Sequence, residues 1–220
     1  MAAAAPVVRY WQPPASAGPD GLVGVGGDLR PATLLAAYAD GVFPWYNAGD
    51  PVLWWSPDPR GVIELPDGLH VSRSLQRTLK KGHFRTTANR AFAAVMAACG
   101  EDREGGTWVT PEMLAAYTEL HRLGHAHSVE VWQGEALVGG VYGLSLGGVF
   151  AAESMFHRAT DASKVALVAL RDRLVAGGFV LWDVQLTNDH TASLGAVDVP
   201  REAYLRRLRA AVGSGGIRFL

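Results

Sequence analysis

Residues 179–196 read FVLWDVQLTNDHTASLGA. The apolar run from Phe179 to Trp182 has the character of a buried strand, and it ends in Asp183 and Gln185. Alternate residues of a strand share a face. The spacing therefore predicts Phe179, Leu181, Asp183 and Gln185 on one side, with the last two at the C-terminal end, where open sheets place ligands. A carboxylate beside an amide can hold and orient an amine. The pair can equally satisfy local backbone groups as the strand ends. Burying such groups without partners costs about 1–3 kcal/mol each, and more for a charge. Asn188 follows in the loop.

Glu153 is the one charge in the strand-like VFAAESMF. Strict alternation puts it on a face with Val149, Ala151 and Met155, which favours burial with a cationic partner over a solvated position. The same alternation puts Phe150 and Glu153 on opposite faces, so a shared pocket would require a bulge between them. Trp45, Tyr46, Trp54, Trp55 and Trp108 are large rings in loop-like segments. Trp54 and Trp55 read as a loop-borne mini-core. One or two of the others could stack a nucleobase, a contact worth about 1–3 kcal/mol. Arg73, Arg77, Lys80 and Lys81 share one helical face at i, i+4, i+7 and i+8. That face is either simply solvated or the place where phosphates are held.

Other constellations are weaker. His121 and His125 are spaced i, i+4, but Arg122 stands where a zincin helix needs glutamate, and Gly124 ends the helix before His125. With His127 they make no persuasive metal site, and no metal is expected. No nucleophile-elbow sequence surrounds Ser154, so pairing it with His190 has little support. The stretch HRATDASK, residues 157–164, lacks the glycines that let a backbone approach a pyrophosphate at a helix N-terminus. A coenzyme A donor is thereby disfavoured, and no cofactor is expected.

These residues need elements to position them. The chain has 220 residues, is 49% hydrophobic and carries a net charge of −1, so any polyanion must be held by a local patch. Its single cysteine, Cys99, reads as a core residue in AFAAVMAAC and fits a reducing, cytoplasmic setting. No run is long enough to span a membrane. Residues 1–65, rich in Pro, Gly and Trp, read as a small N-terminal α/β domain, with a short helix after Pro31 closed at Gly41. Residues 66–220 read as the larger domain: a helix from Ser72 to Gly82, a second over 89–99, a third opened by Thr110-Pro111, three antiparallel strands, a helix over 163–176, the strand 179–185, and a last helix over 201–212. A meander that crosses through a helix into another strand predicts an α+β fold with a mixed sheet. The acetyltransferase-like (GNAT, acyl-CoA N-acyltransferase-like) superfamily has this order.

The ordered motifs GLVGVGGDLRPATLLAAYADGVFPWY, DPVLWWSPDPRGVI, HVSRSL, GTWVT, LHRLGHAHSVEVW, LVGGVYG, ESMF, ASKVAL and DVQLTNDHTASLGA cover most of the chain. Together they resemble the bacterial leucyl/phenylalanyl-tRNA–protein transferase family. The resemblance implies transfer of Leu or Phe, and less efficiently Met, from aminoacyl-tRNA to the N-terminal Arg or Lys of a protein, which marks that protein for degradation. It implies a GNAT-like domain and a monomer. It assigns Trp45 and Trp108, with Tyr38 nearby, to the terminal adenosine of the tRNA. Asp183 and Gln185 take the part of the catalytic pair, and Glu153 that of a third polar residue facing a cation. Asn188 lines the pocket, and Phe150 and Leu170 form an apolar slot. Arg73, Arg77, Lys80 and Lys81 are then the candidates for tRNA phosphates. The alternative is another aminoacyl-tRNA-dependent transferase of peptide or cell-wall precursors.

Overall fold

The computed structural model describes residues 7–101 and 107–220. Its elements run β1 (Leu22–Val25), α1 (Pro31–Ala39), β2 (Phe43–Pro44), β3 (Leu53–Trp55), β4 (Arg60–Ile63), α2 (Arg73–Lys81), β5 (Arg85–Ala88), α3 (Phe92–Gly100) and α4 (Pro111–Arg122). They continue with β6 (Ala126–Gln133), β7 (Ala136–Leu146), β8 (Val149–His157), α5 (Ala162–Ala176), β9 (Leu181–Gln185), α6 (Asp189–Ser193), β10 (Val197–Val199) and α7 (Arg201–Val212). Several boundaries follow from local chemistry. Ser72 and Thr110 accept the N–H groups of Leu75 and Met113 as N-caps, and Pro111 occupies the first helical turn, where its missing donor costs nothing. Gly82 closes α2 in the left-handed conformation, at φ +65°.

A seven-stranded sheet has the order β10-β4-β9-β8-β7-β6-β5, and a small sheet has the order β1-β3-β2. In the large sheet every pairing is antiparallel except β8 with β9, which α5 connects as a crossover. The expected α+β order, an antiparallel meander crossing through a helix into a parallel strand of a mixed sheet, is present. β4 pairs inside the large sheet, although it lies at the end of the Pro-rich segment. The sequence reading missed β5, α6 and β10, which are short and lack a clear apolar period.

Two helical layers cover the large sheet. Leu167, Leu170 and Leu174 of α5 pack with Phe150, Trp182 and Val141 on one face. The other face meets α1, α3 and α4 through Tyr38, Val95 and Tyr117, and α7 through Tyr204 and Leu208. The small sheet joins this second core. Trp54 is fully buried and lies 4.9 Å from Trp11, so the mini-core expected at Trp54 is continuous with the main one. Among the described residues no helix is long and apolar enough to cross a membrane.

The parallel ladder between β8 and β9 is short. It pairs Val149 with Leu181, Phe150 with Trp182 and Ala151 with Asp183, and then stops, although β8 continues to His157. Two irregularities sit where it stops. Against β7, Ala152 pairs with Gly143 and Ser154 with Tyr142, so Glu153 is the extra residue of a β-bulge. On β9, Gln185 adopts a left-handed backbone at φ +60°. The bulge corrects the expected alternation. Glu153 stays on the face of Ala151, while Met155 turns to the opposite face and packs with the α5 core.

Candidate active site

The gap between the parted strands is a cavity of about 680 Å³ that reaches both faces of the sheet. Its polar part is formed by Glu153, Ser154 and Gln185, with Asn188 at the edge. Its apolar part is formed by Ile63, Val141, Met155, Leu167 and Leu194. Trp45, from the segment after β2, and Trp108, just before the N-cap of α4, border the opening. Trp45 is 47% exposed and is braced from behind by Trp55, whose indole N–H donates to the Trp45 carbonyl at 2.7 Å.

Asp183 does not border this cavity. It is buried on the α7 side, and its oxygens are fully engaged. Arg60 Nε donates to Oδ1 at 2.9 Å, and an Arg60 terminal nitrogen donates to Oδ2 at 2.6 Å. The Tyr204 hydroxyl donates to Oδ2 at 2.8 Å. The backbone N–H of Gln185 donates to Oδ1 at 2.9 Å. Satisfying the backbone at a strand end is thus part of what Asp183 does, and the amide it orients is the main-chain amide of Gln185. Its partner Arg60 was missed. The only signal in sequence was a lone charge opening the apolar run RGVI. Arg60 is 1% exposed, its guanidinium lies 4.9 Å from the Phe43 ring and 4.5 Å from the Tyr204 ring, and it donates to the Gly41 carbonyl at 3.1 Å. Burial opposes the guanidinium charge, but the Asp183 carboxylate outweighs it and holds the proton more firmly than usual.

Among the described residues Glu153 lacks the direct cationic partner expected from sequence. The Tyr38 hydroxyl donates to its Oε1 at 2.6 Å, and the Gln185 side-chain amide donates to the same oxygen at 3.3 Å. Tyr38 spends its proton on Glu153, so the Tyr117 hydroxyl donates to Tyr38, at 2.5 Å. Tyr38 therefore lies buried beneath Glu153 and does not border the cavity. Glu153 is partly exposed at the cavity surface. Removal from bulk water pushes its carboxyl up to about 8, and the Asp183 charge acts the same way, while the Tyr38 bond and the Arg60 charge oppose the rise.

Other expectations are corrected by position. Phe150 and Leu170 are fully buried and do not border the cavity; Met155 and Leu167 do. Phe150 instead stacks on Phe219 at 5.6 Å. The bulge turned Met155 inward, and Leu167 lies nearly one turn before Leu170, displacements that a strict period cannot show. Phe179 precedes β9 and packs with the α5 core rather than with Leu181 and Asp183. Asn188 is the N-cap of α6, with its side chain accepting from Thr191 N–H at 2.9 Å. The histidines are separately engaged: His121 bonds the Ala126 carbonyl, and His127 bonds Ser145 and Asn89. Among the described residues no group of three His, Cys, Asp or Glu is placed to hold a metal ion. Arg73, Arg77, Lys80 and Lys81 are all exposed on α2 and make no ion pair among the described residues. At the N-terminus of α5, Asp161 accepts from Thr78 and pairs with Lys164, placing a carboxylate where a pyrophosphate would need donors.

Two stability outcomes are expected. Arg60→Met leaves a buried carboxylate unpaired and should cost about 3–5 kcal/mol in denaturant unfolding. Adding Asp183→Asn to that variant should recover part of the loss, because the orphaned charge is gone. Glu153 binds its proton more tightly folded than unfolded, so its contribution is full below about 4.5 and is lost as pH rises towards about 8. Glu153→Gln should therefore leave the thermal midpoint nearly unchanged at acid pH and raise it above pH 8.

Residues 62–209 match the family model of leucyl/phenylalanyl-tRNA protein transferase, and residues 27–58 match the model of that family's N-terminal domain. A leucyl/phenylalanyl-tRNA–protein transferase of Shewanella baltica (strain OS185) is 54% identical over 193 residues, which is 87% of this chain and 81% of that protein. One from Escherichia coli O1:K1 / APEC is 53% identical over 190 residues, with coverage of 86% and 81%. Among solved structures, a GCN5-related N-acetyltransferase from Kribbella flavida is similar at 14% identity and a TM-score of 0.42, covering 76% of this chain and 60% of that one. The chain belongs to the leucyl/phenylalanyl-tRNA–protein transferase family.

Proposed function

We propose that this protein transfers Leu or Phe, and Met less well, from aminoacyl-tRNA to the N-terminal Arg or Lys of acceptor proteins, marking them for degradation by the N-end rule. The observation that carries this reading is the division of one cavity into a polar part at Glu153 and Gln185 and an apolar part beyond the parted strands. An aminoacyl ester needs both. Its side chain fills the slot lined by Met155, Leu167 and Leu194, and its carbonyl stays beside Gln185. Trp45 and Trp108 supply ring faces on which the terminal adenine stacks.

The donor is already an activated ester, so no nucleotide hydrolysis is required. The site must hold the amine against the carbonyl and handle the protons. The Gln185 side-chain oxygen is the natural acceptor for an N–H of the attacking amine, since its nitrogen faces Glu153. Asp183 acts through the backbone of Gln185 and is a positioning residue. The exposed basic face of α2 supplies cations for the phosphates of the acceptor stem.

Two measurements test the reading. Radiolabelled leucine should pass from Leu-tRNA to an Arg-initiated peptide but not to a lipid-linked cell-wall precursor, and Gln185→Ala should lower kcat. Transfer only to the precursor would replace the assignment with that of a cell-wall transferase. Reversing charge at Arg77 and Lys80 should raise KM for tRNA and flatten its salt dependence, with kcat little changed. An unaltered KM would reduce α2 to a solvated helix.

A further inference from the structure

Glu153 is the only ionisable side chain that borders the cavity among the described residues. It occupies the bulge of β8, at the junction of the polar and apolar compartments. Its two oxygens are used unequally. Oε1 receives both the Tyr38 hydroxyl and the Gln185 amide, and Oε2 has no hydrogen bond or ion pair within the described chain. A carboxylate pinned by one oxygen has a fixed orientation and a second oxygen to offer. Resting on the function proposed above, we infer that Glu153 is the general base that removes the proton from the acceptor's α-ammonium, through the oxygen that Tyr38 and Gln185 leave unused.

Among the described residues no other group at this site fills that role. Gln185 carries an amide, whose carbonyl is too weak a base to hold a proton. Asp183 is turned to the opposite side of the β9 terminus, with Arg60, Tyr204 and the Gln185 N–H on its oxygens. The charged and titratable groups that face Glu153 are Tyr38 of α1, Tyr117 of α4, Asp183 of β9 and Arg60 of β4. Both tyrosines are pushed well above the ordinary phenol range by burial, so they remain donors.

The ammonium gives one proton to the Glu153 carboxylate and becomes a free amine. Its lone pair attacks the ester carbonyl carbon, and a C–N bond forms. The C–O bond to the ribose then breaks, and the departing ribose oxygen takes the second proton from the attacking nitrogen. The amide product keeps one N–H, and Glu153 releases its proton to water when the product leaves. The energetics favour an α-amine. A terminal ammonium titrates at about 7.7–8.0, close to the raised value of Glu153 near 8, so the transfer is almost level. A lysine side-chain ammonium, at about 10.4, would keep its proton against the same group.

The test compares two acceptors on the full-length protein with Leu-tRNA. One is an Arg-initiated peptide. The other is the same peptide with a terminal aminooxy group, whose nitrogen is uncharged at neutral pH and needs no base. Glu153→Gln should lower kcat on the first acceptor by about 10²–10⁴ at pH 8, where a substantial share of the Glu153 carboxyl is ionised, the usual worth of a general base, with KM for tRNA unchanged. On the aminooxy acceptor, wild type and variant should agree to within a few fold. Glu153→Asp, which keeps the carboxylate, should recover part of the loss on the peptide and guards against a misfolded glutamine variant. Equal losses on both acceptors would overturn the inference and leave Glu153 a positioning residue, and no loss on either would remove it from the reaction. A wild-type protein that transfers to neither acceptor would instead sink the proposed function itself.

Discussion

The bidentate pair between Arg60 and Asp183 is the interaction on which the site depends. It joins β4 to β9 inside the sheet and seals the end of β9 against α7. Two ions removed from water are costly unless every oxygen and nitrogen is matched. Here the matching is nearly complete, with Tyr204, the Gln185 N–H and the Gly41 carbonyl taking the remaining capacity and two rings flanking the guanidinium. A hydrophobic pair of similar volume would fill the space equally well, but it could not hold the backbone of Gln185. That backbone sits at φ +60°, a region that costs a residue with a Cβ on the order of 1 kcal/mol or more. The bond from Gln185 N–H to Asp183 offsets this and aims the side chain at Glu153. The same arginine also holds Gly41 and Phe43, so both walls of the cavity refer to one ion pair.

The cavity itself is a failure of sheet pairing at a chosen place. Parallel strands stay together while their ladder is intact. Here the ladder ends after three pairs, with a bulge on one strand and a left-handed residue on the other. The opened wedge connects two faces of the sheet that differ in character. The side under α5 is lined by an apolar core, whereas the side under α1 and α4 carries the chain Tyr117–Tyr38–Glu153. An ester with an apolar side chain and a polar reacting centre matches this asymmetry.

Much of the fold was readable from residue order. Caps at Ser72 and Thr110, stops at Gly41, Gly82 and Gly124, and the change from helical to alternating period near residue 127 all act within a few residues. The face shared by Leu181 and Asp183 was readable for the same reason, but alternation could not show that Gln185, left-handed beyond a register shift against β4, turns to the cavity while Asp183 faces Arg60. The rings at Trp45 and Trp108 were legible as unusual residues in loop-like segments. Phe150 and Leu170 were misplaced because the cavity lining depends on where β8 and β9 part: Phe150 lies before the bulge and packs with Phe179 and Phe219, whereas Met155 reaches the cavity because the bulge moves the side chains after Glu153 by one face, and a bulge leaves no mark in an apolar pattern.

The sequence alone determined which chemistry is present: a carboxylate and an amide at a strand end, a lone glutamate in an apolar strand, rings at a loop, and an uncompensated basic helix face. Tertiary structure alone decided how these groups divide the work. Asp183 was drawn inward by Arg60, a residue 123 positions away, and Glu153 was left facing the cavity without a counter-ion among the described residues. Pairing between distant residues is set by packing of the whole sheet and its helices, and that packing is a property of no single segment.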